Sequence, residues 1–136
     1  MVTKMSHVSI FVLDQDGAKK FYTEKLGFDV KMDQKMDNGF RWLTVSPKEQ
    51  SDLEIILMKV EPGPMMDEKS AEQLKELVKA GKLGAGAFST NDCTATYEEL
   101  KAKGVEFLYP PKKQVYGIET LFKDDSNNWF SLTQHI

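Results

Sequence analysis

At 136 residues, 40% apolar and 29% charged, the chain has the make-up of one globular domain with room for a sizeable core. Its formal net charge of -3 speaks against nucleic acid, and its lysines form no basic stripe; Lys19-Lys20 and Lys112-Lys113 have acidic neighbours and read as solvated faces. A single cysteine, Cys93, excludes an internal disulfide, no stretch has the apolar length of a membrane helix, and the N-terminus lacks a signal-peptide cleavage site, so the expected location is the cytoplasm.

The first strand is expected over Val8–Leu13, a run of β-branched and aromatic residues. Asp14 to Gly17 interrupts it and offers aspartates as helix caps. Ala18, Phe21, Tyr22 and Leu26 then recur at helical spacing, and Leu26-Gly27-Phe28 is a stop in which Gly27 takes the left-handed conformation. Strands follow at Phe28–Met32, Phe40–Ser46 and Leu53–Val60, with turns at Asp37-Asn38-Gly39 and Ser46-Pro47-Lys48.

Residues 61–84 form an extra segment. Pro62-Gly63-Pro64 breaks the strand, and Ser70 with Gln73 has the spacing of a capping box. Leu74, Leu77 and Val78 make a narrow apolar stripe. The segment reads as a linker helix packed on the flank, or as a lid or dimer arm in which the flexible Met65 and Met66 make contact.

The remainder repeats the first order. Ala85–Thr90 is a strand, Asn91-Asp92 caps a helix with Tyr97 and Leu100 inward, and Lys103-Gly104-Val105 stops it. Strands then follow at Val105–Tyr109, Gly117–Phe122 and Trp129–His135. Asp14/Asp92 and Gly27/Gly104 keep offsets of 78 and 77 residues, which marks an internal duplication. The expected fold is α+β: a single domain of two βαβββ halves, 4–60 and 85–136, with the inserted helix between them. Cys93 reads as a small semi-buried residue, because neither histidine is near it in sequence to act as a base.

The run His7-Val8-Ser9-Ile10-Phe11-Val12-Leu13-Asp14, then Ala18-x-x-Phe21-Tyr22 and Leu26-Gly27-Phe28, resembles the vicinal-oxygen-chelate superfamily. That superfamily includes glyoxalase I, fosfomycin- and bleomycin-resistance proteins and extradiol dioxygenases. The second half matches through Ala87-Phe88, Asp92, Leu100 and Gly104 to Phe107. It closes on Asp124 to Asn128, which looks like the family's Asp-Pro-Asp-Gly-Asn hairpin with proline and glycine replaced. The resemblance implies two curled sheets that form a cup for a small molecule, and in the metal enzymes a divalent ion held by the first and last strands of each half.

Carried over by position, His7 takes the first-strand ligand place and Glu54 the fourth-strand place. The second half departs, with Ala85 and Ser131 at the matching positions. Two protein ligands fall short of the usual three plus water, and His135 lies too far along its strand from Ser131 to substitute. His7 also reads as an ordinary rim histidine. A lone glutamate in an apolar strand is harder to dismiss, and a His7–Glu54 pair would satisfy both groups and could act as a general base. Further cup candidates are Arg41, Trp42, Tyr109, Tyr116 and Phe122, with Phe40 and Trp129 beside them; Arg41 and Trp42 alternate, so at most one enters the cup.

The expectation is a glyoxalase- and bleomycin-resistance-like protein that binds a small organic molecule without a complete metal site. The alternative is a divalent-metal-dependent lyase, thiol transferase or dioxygenase using His7 and Glu54. A third reading makes the inserted helix a partner-binding surface. The expected partner is a small-molecule ligand, without nucleic acid or membrane, and the expected assembly is a homodimer.

Overall fold

The computed structural model describes residues 1–136 as a mixed α+β protein with two separate sheets. The chain divides into two compact units, Met1–Glu76 and Leu77–Ile136.

In the first unit, β1 (His7–Val12) leads into α1 (Gln15–Lys20), which continues as a π-helical turn over Phe21–Lys25. Asp14 caps α1 by accepting from the backbone N–H groups of Asp16 and Gly17. At its end Gly27 has φ +74° and Phe28 N–H bonds back to the Tyr22 carbonyl at 2.9 Å, the stop expected from Leu26-Gly27-Phe28. β2 (Asp29–Lys35), β3 (Arg41–Ser46) and β4 (Glu54–Lys59) follow, giving the order β1-β4-β3-β2 with β1 and β4 parallel. Alternation divides this sheet cleanly. Val12, Leu43, Val45, Ile55 and Leu57 are buried on the side of Ala18, Phe21 and Tyr22. His7, Trp42, Thr44 and Glu54 lie on the other face, away from α1. Gln15 ties α1 to the sheet through Nε2–H bonds to the carbonyls of Leu57 (2.8 Å) and Arg41 (3.2 Å).

α2 (Glu68–Lys79) starts before the expected Ser70 because Asp67 is the cap: its carboxylate accepts from Ser70 N–H at 2.7 Å. Its buried positions are Ala71 and Val78, while Leu77 is exposed, so the apolar stripe runs through Ala71 rather than Leu77.

The second unit repeats the plan with β5 (Gly84–Ser89), α3 (Cys93–Ala102), β6 (Glu106–Phe107), β7 (Lys112–Gln114), β8 (Gly117–Lys123) and β9 (Trp129–His135). Its order is β5-β9-β8-β6, with β5 and β9 parallel and β7 also paired to β8. The strand expected at Val105–Tyr109 is shortened to β6, and β7, which was not expected, follows only after Pro110 and Pro111, which lack the N–H a ladder needs. Phe88, Phe107, Phe122 and Phe130 form an aromatic core, with Tyr97 edge-on to Phe107 at 4.7 Å between ring centroids. Cys93 is fully buried at the start of α3; its N–H donates to Gln134 Oε1 and its thiol to the Leu132 carbonyl. The β8–β9 hairpin closes on Asp124, whose Oδ1 accepts from the N–H groups of Ser126 and Asn128. Asn127, at φ +74°, fills the left-handed position where the resembled motif has glycine.

No helix is long and apolar enough to cross a membrane.

Candidate functional site

His7 begins β1 and stands directly opposite Glu54 in the parallel β1–β4 ladder, so the register itself brings the two side chains together. His7 Nε2 lies 3.4 Å from Glu54 Oε2, a contact longer than an ordinary N–H···O bond, with the side chains 38% and 28% exposed. The other imidazole nitrogen, Nδ1, is 3.0 Å from Ser6 Oγ. Thr44, from β3, donates its hydroxyl to Glu54 Oε1 at 2.7 Å. Trp42, two residues earlier on the same face, places its ring 6.1 Å from the imidazole, and Phe40 lies 6.2 Å beyond it. The result is a carboxylate fixed by a threonine, flanked by an imidazole and bordered by a part-exposed indole. Such a group can accept a hydrogen bond from a ligand, offer an aromatic surface and exchange a proton.

Two residues expected to contact a ligand are placed elsewhere. Arg41 shares the helix side with Leu43. Its Nε and Nη2 donate to the two oxygens of Asp33 at 2.8 and 2.9 Å, and its Nη1 to Asp16 at 2.6 Å. These bonds, with Lys19, hold the Asp33 carboxyl well below the usual carboxylate range. Arg41 lines a polar hollow of about 360 Å³ with Gln15, Asp33, Lys35 and Lys59, away from His7. Phe122 is 1% exposed and stacked on Phe130, so it belongs to the core.

In the second unit, Ala85 falls in the register shift between Gly84 and Gly86, and a ligating side chain is absent there. Trp129 lies across Gly84, where an added Cβ would come within 2.5 Å of the indole. Ser131, at the position matching Glu54, donates its hydroxyl to Glu119 Oε2 at 2.7 Å. Tyr116 donates to Glu119 Oε1 at 2.8 Å. Burial, the Glu119 charge and a hydrogen bond to Glu119 push the Tyr109 phenol up, and the Glu119 hydrogen bond does most to raise that of Tyr116. Ser131 also pairs with Thr133 at 2.8 Å. His135 ends β9, exposed and opposite Gly117.

Glu119 was not among the expected residues. Its signal was nonetheless in the sequence: a single carboxylate within the apolar-rich strand Gly117 to Lys123. The second half has therefore kept a carboxylate, one strand away from where the resemblance places it. Burial, followed by the charges of Asp92 and Glu119, pushes the Cys93 thiol up, which makes it a poor nucleophile.

As metal donors, His7 and Glu54 are two. A catalytic metal usually takes three protein ligands, and no group of three or more His, Cys, Asp or Glu comes together here.

The model of the Glyoxalase/Bleomycin resistance protein/Dioxygenase superfamily matches residues 4–132. The chain is 36% identical to YetH of Bacillus subtilis strain 168 over 134 residues, covering 98% of this chain and all of that protein. Among solved structures, UcmS2 is 46% identical with a TM-score of 0.92, covering 98% of this chain and 99% of that one. TnmS3, an antibiotic binding protein from Streptomyces sp. CB03234, is 30% identical with a TM-score of 0.76, covering 99% and 98%.

Proposed function

The chain belongs to the Glyoxalase/Bleomycin resistance protein/Dioxygenase superfamily, and from that premise we propose that it binds a small organic molecule of antibiotic type. The first unit supplies the contact through Trp42, His7 and Glu54. One observation carries the reading: the polar group His7–Glu54–Thr44 sits beside the part-exposed Trp42 indole on the sheet face opposite α1. A flat apolar surface next to a few fixed polar groups is how small-molecule sites combine affinity with orientation. The similarity to TnmS3, described as an antibiotic binding protein, supports the same class of ligand.

The test is a fluorescence-quenching screen of aromatic antibiotics, with bleomycin as the reference compound, on the wild type and on His7→Ala/Glu54→Ala. Binding that the double variant weakens supports the proposal; binding and stability both untouched remove His7 and Glu54 from it. A homodimer and a cytoplasmic location belong to the same proposal, and sedimentation equilibrium tests the first.

A further inference from the structure

Glu119 differs from Asp33 and Glu54 in what surrounds it. Asp33 has Arg41 and Lys19, and Glu54 has His7. Glu119 receives only neutral donors, the hydroxyls of Tyr116 and Ser131 together with Tyr109, and forms no ion pair. It is part-buried at the middle of β8, on the face opposite the Phe122–Phe130 core. A part-buried negative charge with hydrogen bonds and no counter-charge carries a desolvation cost that a bound cation would offset. The hydroxyls leave it about one free acceptor position of the roughly four a carboxylate offers. An aromatic wall stands beside it, and that wall already engages a cation: Lys112 Nζ lies 4.0 Å from the Tyr109 ring centroid.

We propose that Glu119, Tyr109 and Tyr116 form a recognition site for the protonated amine of a small organic cation, in which the Lys112 ammonium competes for the Tyr109 ring. This deepens the small-molecule reading above and rests on it, since it names the chemical class of ligand that the second unit by itself would take. Glu119 supplies the charge and the last hydrogen bond. Tyr116 and Ser131 hold both carboxylate oxygens in place, and Tyr109 faces the cation's apolar part.

Benzylammonium and its neutral analogue benzyl alcohol are the probes, titrated into the full-length protein and followed by the NMR shifts of the tyrosine ring protons. The expected result is saturable binding of benzylammonium, at least tenfold tighter than benzyl alcohol, and weakened at least tenfold by Glu119→Gln. Lys112→Met removes the competing ammonium and should tighten binding about threefold, the scale of an exposed cation–π contact. That gain is not expected of a merely structural cluster, and it stays readable should Glu119→Gln unfold the protein. Equal binding of the two probes, no binding of benzylammonium, or no response to either variant overturns the inference. Equal binding would leave the small-molecule reading standing, whereas loss of antibiotic quenching with benzylammonium binding intact would sink that reading alone.

Discussion

Ser131 donates its hydroxyl to Glu119 on the neighbouring strand at 2.7 Å, and in the first unit the same diagonal runs the other way. There Thr44 of β3 donates to Glu54 of β4, also at 2.7 Å. Thr44 is opposite Ile56, two residues from Glu54, and Glu119 is opposite Thr133, two residues from Ser131. Both sheets thus carry a hydroxyl–carboxylate pair at corresponding places on the third and fourth strands of the repeat, with the two members exchanged. The exchange keeps a fixed carboxylate in each unit while moving it by one strand.

If Thr44 fixes Glu54, Thr44→Val removes a charge-assisted hydrogen bond and should lower stability by about 1.5 kcal/mol. Thr44→Ser should retain most of it. Urea unfolding of the three proteins measures this; equal stabilities would mean that the bond contributes nothing net.

The Asp33–Arg41 pair predicts an acid dependence. Arg41, and then Lys19, lower the folded-state pKa of Asp33 below the ordinary aspartate value of 3.8. The stabilisation is therefore complete above about pH 4 and is lost progressively as pH falls below it. Asp33→Asn should cost about 1–2 kcal/mol at pH 7, discounted for the partial exposure of the pair. The gap from wild type should narrow between pH 4 and pH 2. A gap constant with pH would assign the loss to packing instead.

Glu119 also predicts the behaviour of two tyrosines. Its charge and hydrogen bonds favour the neutral phenols of Tyr109 and Tyr116, which should ionise above the ordinary value of 10.0. Glu119→Gln removes the charge and should bring part of the 295 nm absorbance titration to lower pH. An unchanged titration curve would show that Glu119 does not act on them.

Trp129 needs the space above Gly84. In a Trp42→Phe background, where Trp129 is the remaining indole, Gly84→Ala should shift the emission maximum and cost about 1–3 kcal/mol, the range for an overpacked site. Identical spectra and stability would show that the ring yields freely.

The sequence was most informative where local chemistry decides the structure. Asp14 and Asp92 cap their helices, and Gly27 and Gly104, both at positive φ, end them. The His7–Glu54 contact was legible because a carboxylate in an apolar strand needs a partner. Strand parity was harder to read. Arg41 and Trp42 alternate, and only the β2–β3 register with Asp33 opposite Leu43 puts Arg41 on the helix side. Phe122 shares its side with Thr120 and falls among the core rings for the same reason. Glu119 escaped because the alignment of halves directed attention to Ser131, while its partner strand depends on a non-local register that one chain does not reveal. Like Glu54, Glu119 is a single carboxylate within an apolar-rich strand.

The proposed binding of a small organic molecule on the face bearing Trp42, His7 and Glu54 is tested by the quenching of Trp42 emission in a Trp129→Phe background during titration with bleomycin and related aromatic antibiotics. Saturable quenching by at least one compound is expected, weakened at least tenfold by Glu54→Ala. Linear, unsaturable quenching by every compound, identical with and without Glu54, would contradict it.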